Sequence, residues 1–210
     1  MERNIIVFGA TGNTGVEICK ELDRLGIPHS AFVRTGSEAK IPTSSTEIIK
    51  GDAMNPQEVA NAFSGKAFTD VIIALGSRDF KSGEIRSTGT QHIVSAITQS
   101  GQSSKLHIVS ANGVGNSWSG LKWHEKLIVK FLISSSMKDH EMQEEIAQSH
   151  AGGYHIVRPV GLKDQSGTGN VIAHADGKMP NSTIAREDVA KYLISSMLEG
   201  VSGEHSICNA

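Results

Sequence analysis

The stretch Ile5-Ile6-Val7-Phe8-Gly9-Ala10-Thr11-Gly12-Asn13-Thr14-Gly15, close to the start of the chain, decides the fold. Its four apolar residues predict a buried strand, and a glycine-rich turn follows them at once. Apolar residues then recur at helical spacing, and a glycine is placed to end the helix: Val16, Cys19, Leu22 and Leu25, followed by Gly26. A strand, a glycine turn and a helix in this order form the context of a dinucleotide phosphate-binding loop.

The loop itself has the glycine spacing G-x-x-G-x-x-G in place of the commoner G-x-G-x-x-G. Glycines allow a tight turn and a close approach to pyrophosphate, and the helix start offers free N–H groups. The alternative is a tight turn without a ligand. The cofactor-binding residues predicted here are Gly9, Thr11, Gly12, Asn13, Thr14 and Gly15.

The end of the second predicted strand indicates which cofactor is bound. NAD enzymes usually carry an acid here for the ribose 2′-hydroxyl, whereas this chain has Val33-Arg34 and no acid within reach. A guanidinium suits a 2′-phosphate, and Ser37 and Lys40 could assist it. The alternative is an ordinary surface arginine. The sequence favours NADP(H) over NAD(H).

Short apolar runs alternate with helical patterns along the whole chain. This alternation predicts an α/β fold, a doubly wound parallel sheet of Rossmann type, as one domain over residues 1–210. Residues 113–150, with both tryptophans, break the pattern and predict a small elaboration on the substrate side. The predicted strands are residues 4–8, 30–33, 47–49, 71–75, 106–109, 154–157 and 171–174.

Composition excludes several classes of protein. The chain has 20 Lys and Arg against 22 Asp and Glu, which gives no basic excess for nucleic acid or an anionic membrane. Its two cysteines are far apart and form no motif, which suggests a reducing compartment and no metal site. No stretch reads as a signal peptide or membrane span. We expect a cytoplasmic protein, a monomer or weak homo-oligomer.

Several motifs together resemble the atypical short-chain dehydrogenases/reductases. Within that group the chain is most similar to the B-type biliverdin reductases, also called NADPH-dependent flavin reductases, over nearly its whole length. Besides residues 9–15 and Val33-Arg34, the resemblance rests on Lys50-Gly51-Asp52-Ala53, Ala74-Leu75-Gly76-Ser77-Arg78, Val109-Ser110-Ala111, Asp176-Gly177-Lys178 and the stretch 184–190.

The resemblance implies further site residues. Asp52 and Ala53 would flank the adenine, and Leu75, Gly76 and Ser77 would line the ribose and pyrophosphate, with Arg78 near the phosphates. Ser110 would lie beside the nicotinamide and the substrate, and Pro159 and Val160 near the carboxamide. His140 matches a histidine on the family's substrate side.

The chemistry is less well determined. The chain lacks the Tyr-x-x-x-Lys pair of classical short-chain reductases, since Tyr154 and Arg158 bracket a predicted strand and lie about 13 Å apart. This favours a flavin or linear tetrapyrrole as acceptor, which the protein mainly binds and orients. Ser110 could instead bond only to backbone, and His140 could be a proton donor or a solvated helix residue. A non-catalytic NADP(H) sensor and an NAD-dependent epimerase are the alternatives.

Overall fold

A computed structural model of the chain describes residues 3–41, 47–76 and 83–210. These residues form ten strands: β1 Ile5–Phe8, β2 His29–Val33, β3 Glu47–Lys50, β4 Asp70–Ile73, β5 Lys105–Val109, β6 Tyr154–Pro159, β7 Gly161–Lys163, β8 Val171–His174, β9 Thr183–Ala185 and β10 Gly203–Asn209. Eight of them form a sheet in the order β3-β2-β1-β4-β5-β6-β10-β8. The first seven are parallel, and β8 pairs antiparallel with β10 at the edge. This confirms the predicted doubly wound sheet.

Helices cover both faces of this sheet. They are α1 Asn13–Arg24, α2 Pro56–Phe63, α3 Ile85–Gln99, α4 Trp123–Leu132, α5 Ser134–Gln148 and α6 Arg186–Leu198. One apolar core lies between the sheet and the pair α1 and α6, and a second lies under α2, α3 and α5. Strand β1 supplies both, because Ile5 and Val7 face the first core while Ile6 and Phe8 face the second. Burial on both faces explains its unbroken apolar run.

The predicted helix end at Gly26 is confirmed in detail. After α1, Gly26 has a φ of +67°, its N–H donates to the carbonyl of Asp23, and the N–H of Ile27 donates to that of Leu22. Gly101, with a φ of +70°, ends α3 in the same way. This pair of bonds satisfies carbonyls that a helix end would leave unpaired.

The predicted apolar stripe of α1 is partly wrong. Leu25 is 41 % exposed and Val16 is only half-buried, while Gly15, Ile18, Cys19 and Leu22 are the positions that face the core. The stripe therefore begins one residue earlier, where the phosphate loop meets the helix. Among the described residues, no helix has the length and apolar character needed to cross a bilayer.

Candidate cofactor and acceptor site

Two glycines of the loop 9–15 are required by the backbone geometry. Gly9 has a φ of +79°, and a Cβ atom on it would lie 2.4 Å from the carbonyl oxygen of Ala74, just after β4. A Cβ on Gly15 would lie 2.1 Å from the carbonyl oxygen of Gly9. The loop is thus held tightly between the end of β4 and the first turn of α1, at distances that only glycine permits.

The start of α1 is left open for an anion. Gly12 is the residue at the helix cap; its N–H donates to the carbonyl of Gly9 at 3.0 Å, and no side chain caps the helix. The N–H groups from Asn13 to Gly15 have no acceptors within the helix, and the first turn carries no acid. Thr11 and Thr14 are half-buried and Asn13 is exposed at this same end. Uncapped N–H groups at a positive helix end fit a pyrophosphate.

Arg34 lies where the sequence predicts a 2′-phosphate contact. It follows β2 directly, next to β1 in the sheet, and its side chain is exposed. The N–H of Ser37 donates to the carbonyl of Arg34, so the chain turns back beside it. The first acid after β2 is Glu38, and it pairs with Lys50 at 2.9 Å. The position at the end of β2, where NAD enzymes usually carry an acid, is therefore occupied by Arg34.

The predicted adenine and ribose residues follow β3 and β4. Asp52 is half-buried; its carboxylate accepts the N–H of Met54, and its own N–H is bound by Glu58. Ala53 is buried beside Leu75 in the second core. Gly76 is exposed at the end of the described part of this loop, and the predicted Ser77 and Arg78 lie outside the described residues. Asp52, Ala53, Leu75 and Gly76 thus share the carboxyl edge of the sheet with the loop 9–15.

Ser110 follows β5 at this edge and is fixed by a buried network. Its hydroxyl donates to Oε1 of Glu144 on α5 at 2.5 Å. Both oxygens of Glu144 also accept from Arg158 of β6, at 3.0 Å from Nε and 2.6 Å from Nη2, and both side chains are only 3 % exposed. Because Glu144 can only accept, the single hydroxyl proton of Ser110 is committed to it. What Ser110 can still offer a ligand is a lone pair.

His140 is buried, which corrects the alternative of a solvated helix residue: only 8 % of it is exposed. Its Nδ1 lies 3.4 Å from Oγ of Ser110. Burial, together with the nearby charge of Arg86, lowers the pKa of His140 to about 3. The ring is therefore neutral at pH 7, and the role of proton donor stays a prediction.

Pro159 and Val160 lie at the carboxyl end of β6. Pro159 is buried and its carbonyl accepts the N–H of Asn112, while Val160 is half-buried against the first core. Their backbone places them one strand from Ser110 at the same edge of the sheet. Contact with the carboxamide stays a prediction.

Four site residues have no place among the sequence predictions: Glu144, Arg158, Asp139 and Arg86. A charged arginine directly after the apolar pair Ile156-Val157 of β6 is the signal that indicates a buried acidic partner. Nothing in the sequence says that the partner is Glu144, since α5 carries several acids.

Comparison with known proteins agrees with this geometry. The sequence profile of the NAD(P)H-binding family matches residues 9–199. An uncharacterized chloroplast protein of Arabidopsis thaliana is 26 % identical over 204 residues, which cover 94 % of this chain and 72 % of that protein.

Three solved structures share the fold at low identity. The anaerobilin reductase ChuY of Escherichia coli O157:H7 is 20 % identical, with a TM-score of 0.79 over 98 % of this chain and 97 % of its own. A Veillonella parvula short-chain dehydrogenase/reductase in complex with NADP is 17 % identical, with a TM-score of 0.79 over 100 % and 95 %. A candidate NADH-flavin reductase of Streptococcus pneumoniae is 18 % identical, with a TM-score of 0.77 over 99 % and 100 %.

The match to the family profile extends from the first glycine of the loop to the end of α6. It therefore includes all the predicted cofactor-binding residues, from Gly9 to Val160. The prediction of a Rossmann-type chain that binds NAD(P)H is confirmed, and the chain belongs to the NAD(P)H-binding family.

Proposed function

We propose that this chain is a reductase that uses NADPH to reduce a flavin, a linear tetrapyrrole or a related conjugated acceptor. Arg34 supports the choice of NADPH, because an exposed guanidinium at the end of β2 can pair with a 2′-phosphate. When bound, the cofactor supplies the hydride. The chain's residues bind it, orient the acceptor and limit which acceptors fit.

The observation that carries the proposal is the position of the two tyrosines of the chain. Tyr154 begins β6, and its hydroxyl donates to Glu204 at 3.0 Å. Tyr192 lies on α6 with its ring 6.4 Å from that of His155, the second residue of β6. Both therefore lie toward the amino end of β6, whereas the cofactor site lies at the carboxyl end. Neither can protonate a carbonyl oxygen at the site, as the tyrosine of classical short-chain reductases does.

Ser110 points to the same class of acceptor. Its proton is committed to Glu144, so its hydroxyl cannot also donate to the oxygen of a ketone or aldehyde. A flavin or tetrapyrrole does not need such a donor, because the electrons of the hydride spread over a conjugated system and solvent can supply the proton. A lone pair on Ser110 suits an N–H group of such an acceptor or of the carboxamide.

Aromatic side chains near the same edge suit a flat acceptor. Trp118 and Trp123 are 40 % and 76 % exposed, and neither belongs to the two apolar cores. The ammonium of Lys126 lies 5.9 Å from the ring centroid of Trp118. Both tryptophans lie in the segment between β5 and α5, which returns to the site through His140 and Glu144.

Steady-state oxidation of NADPH tests the proposal. The acceptors are FMN, FAD and biliverdin, with a panel of ketones and aldehydes for contrast. We expect turnover with a flavin or biliverdin and none with the carbonyl compounds. Tyr154→Phe is the matched control and should leave turnover unchanged. Turnover of ketones that depends on Tyr154 or Tyr192 would contradict the proposal.

A non-catalytic NADP(H) sensor is the second candidate, because the hydroxyl proton of Ser110 is committed to Glu144 and burial lowers the pKa of His140 to about 3. Tight NADPH binding without turnover of any flavin, tetrapyrrole or quinone would support the sensor. An NAD-dependent epimerase fits less well, since such chemistry needs a tyrosine at the cofactor.

A further inference from the structure

The guanidinium of Arg86 lies beside Gly76, at the edge of the predicted cofactor site. Arg86 is the second residue of α3, and its side chain is only 13 % exposed. Its Nη2 atom lies 3.6 Å from the position that a Cβ atom on Gly76 would occupy. Gly76 lies two residues after Ala74, whose carbonyl oxygen meets the backbone of Gly9, so this guanidinium is on the same side of the sheet edge as the loop 9–15.

Most of the donors of this guanidinium are unused. An arginine side chain has five N–H donors. Within the described parts of the chain, one of them makes a bond, from Nη1 to Oδ2 of Asp139 at 3.3 Å. The Nε atom is buried and has no partner among the residues that the structure describes. Buried donors without acceptors are costly, and a ligand that accepts from them would remove that cost.

Asp139 does not need the guanidinium as its partner. Its carboxylate already accepts from the backbone N–H groups of Arg86 and Ser87, at 3.1 and 2.9 Å, and from the hydroxyl of Ser87 at 2.7 Å. Burial raises the pKa of Asp139, but these bonds outweigh it and leave the pKa below its usual value. Asp139 therefore caps α3 as a carboxylate and holds Arg86 by one long bond.

The charge of Arg86 lies at the positive end of a helix. The start of α3 adds the positive end of its dipole, and the charge of Arg86 is one cause of the lowered pKa of His140. Asp139 is the single acid that pairs with it in the described chain. A second negative group could accept from Nη2, for which the described residues supply no acceptor.

We propose that Arg86 is an anion-binding residue of the cofactor site, which holds phosphate or carboxylate oxygens in front of Gly76. The fork of an arginine fits such oxygens with two parallel bonds. Two sources supply this chemistry: the pyrophosphate of the cofactor, which the loop 9–15 would place alongside, and an anionic group on the acceptor. The inference rests on NAD(P)H binding and not on which acceptor is reduced.

Calorimetric titration of Arg86→Ala separates the two sources. The ligands are NADP⁺, 2′-phospho-ADP-ribose, adenosine 2′-monophosphate, and FMN against riboflavin in the presence of NADP⁺. If the anion is the pyrophosphate, NADP⁺ and 2′-phospho-ADP-ribose should each bind about tenfold more weakly, while adenosine 2′-monophosphate is unaffected. If it belongs to the acceptor, cofactor binding should be unchanged and the preference for FMN over riboflavin should disappear.

Two further variants keep the result interpretable. Arg86→Lys keeps the stem and the charge but loses the fork, so it should lose less affinity than Arg86→Ala. Arg24→Ala removes an arginine at the opposite end of α1 and should change no affinity. Thermal unfolding verifies that each variant is folded. Unchanged affinities for all ligands in Arg86→Ala, or an equal loss that includes adenosine 2′-monophosphate, would overturn the proposal.

Discussion

His155 should make the protein sensitive to acid. Its side chain is fully buried, and both ring nitrogens lack a hydrogen-bond partner in the described chain. The rings of His107, His205 and Tyr192 lie 5.8, 5.7 and 6.4 Å from it. Burial, and then the charges of His107, His205 and Lys105, lowers the pKa of His155 to about 3. The folded protein therefore holds this ring neutral.

The sign and size of the effect follow from linkage. In the unfolded chain the ring takes up a proton below about pH 6.5, whereas the folded chain takes it up only near pH 3. Stability is unaffected above the unfolded pKa and is lost as the pH falls below it. A pH of 5 is about 1.5 units below the pKa of the unfolded chain and still above that of the folded protein. At this pH, protonation of the unfolded chain lowers the free energy of unfolding by about 2 kcal/mol.

His155→Leu removes this ionisable group, and the leucine side chain brings no polar atom that would need a partner. We expect the difference in the free energy of unfolding between about pH 7.5 and about pH 5 to shrink by about 2 kcal/mol relative to the wild type, as urea titrations would show. His140 and His107, whose pKa values are also lowered by burial, keep part of the wild-type dependence in the variant.

The matched control for this experiment is His124→Gln, which replaces an exposed histidine on α4 and should leave the acid sensitivity unchanged. The reasoning is refuted if His155→Leu loses as much stability between the two pH values as the wild type does.

The remaining predictions concern the site. Arg34→Ala should weaken NADPH binding by about 1.5–3 kcal/mol and NADH binding little, and equal losses in titrations would contradict the 2′-phosphate contact. Gly12→Val should abolish cofactor binding, as calorimetry would show. The variant should stay folded, because a Cβ at this exposed cap meets only the Gly9 carbonyl oxygen at 3.3 Å. Gly9→Ala should instead destabilise the fold, as thermal unfolding would show, since its backbone is left-handed and touches Ala74. Ser110→Ala should lower turnover about tenfold, and a loss of many thousandfold would mean that its hydroxyl takes part in proton transfer.

The fold could be predicted where the sequence signal is local. Strand β1 is buried on both faces, so four adjacent apolar residues indicate it without knowledge of its neighbours. Strand β10 was missed because Gly203, Glu204, His205 and Ser206 give it no apolar run, and its place between β6 and β8 is set by distant pairing. Helix α2 was also missed, although Asn55 caps it and Pro56 begins it, a pattern that indicates a helix start.

The same distinction holds for the site. Residues 9–15 are contiguous, so their chemistry could be predicted from their order alone. In the network around Ser110, Glu144 lies 34 positions after Ser110 and 14 positions before Arg158. Arg86 and Asp139 are separated by 53 positions. His140 shows the limit most clearly, because its sequence position on a helix does not reveal which face of that helix is buried.

The buried ion pair of Glu144 and Arg158 has a role at the site that follows from the position of Glu144 on helix α5. Apolar residues can often replace such a pair without loss of stability, so stability alone does not account for Glu144 and Arg158. Glu144 fixes the hydroxyl of Ser110 as an acceptor, and Asp139, five residues earlier on the same helix, holds Arg86 as a donor. Glu144 and Asp139 thus determine which group beside the site can accept a hydrogen bond from a ligand, Ser110, and which can donate one, Arg86. Changes on this buried face should therefore alter the choice of ligand while the phosphate loop stays intact.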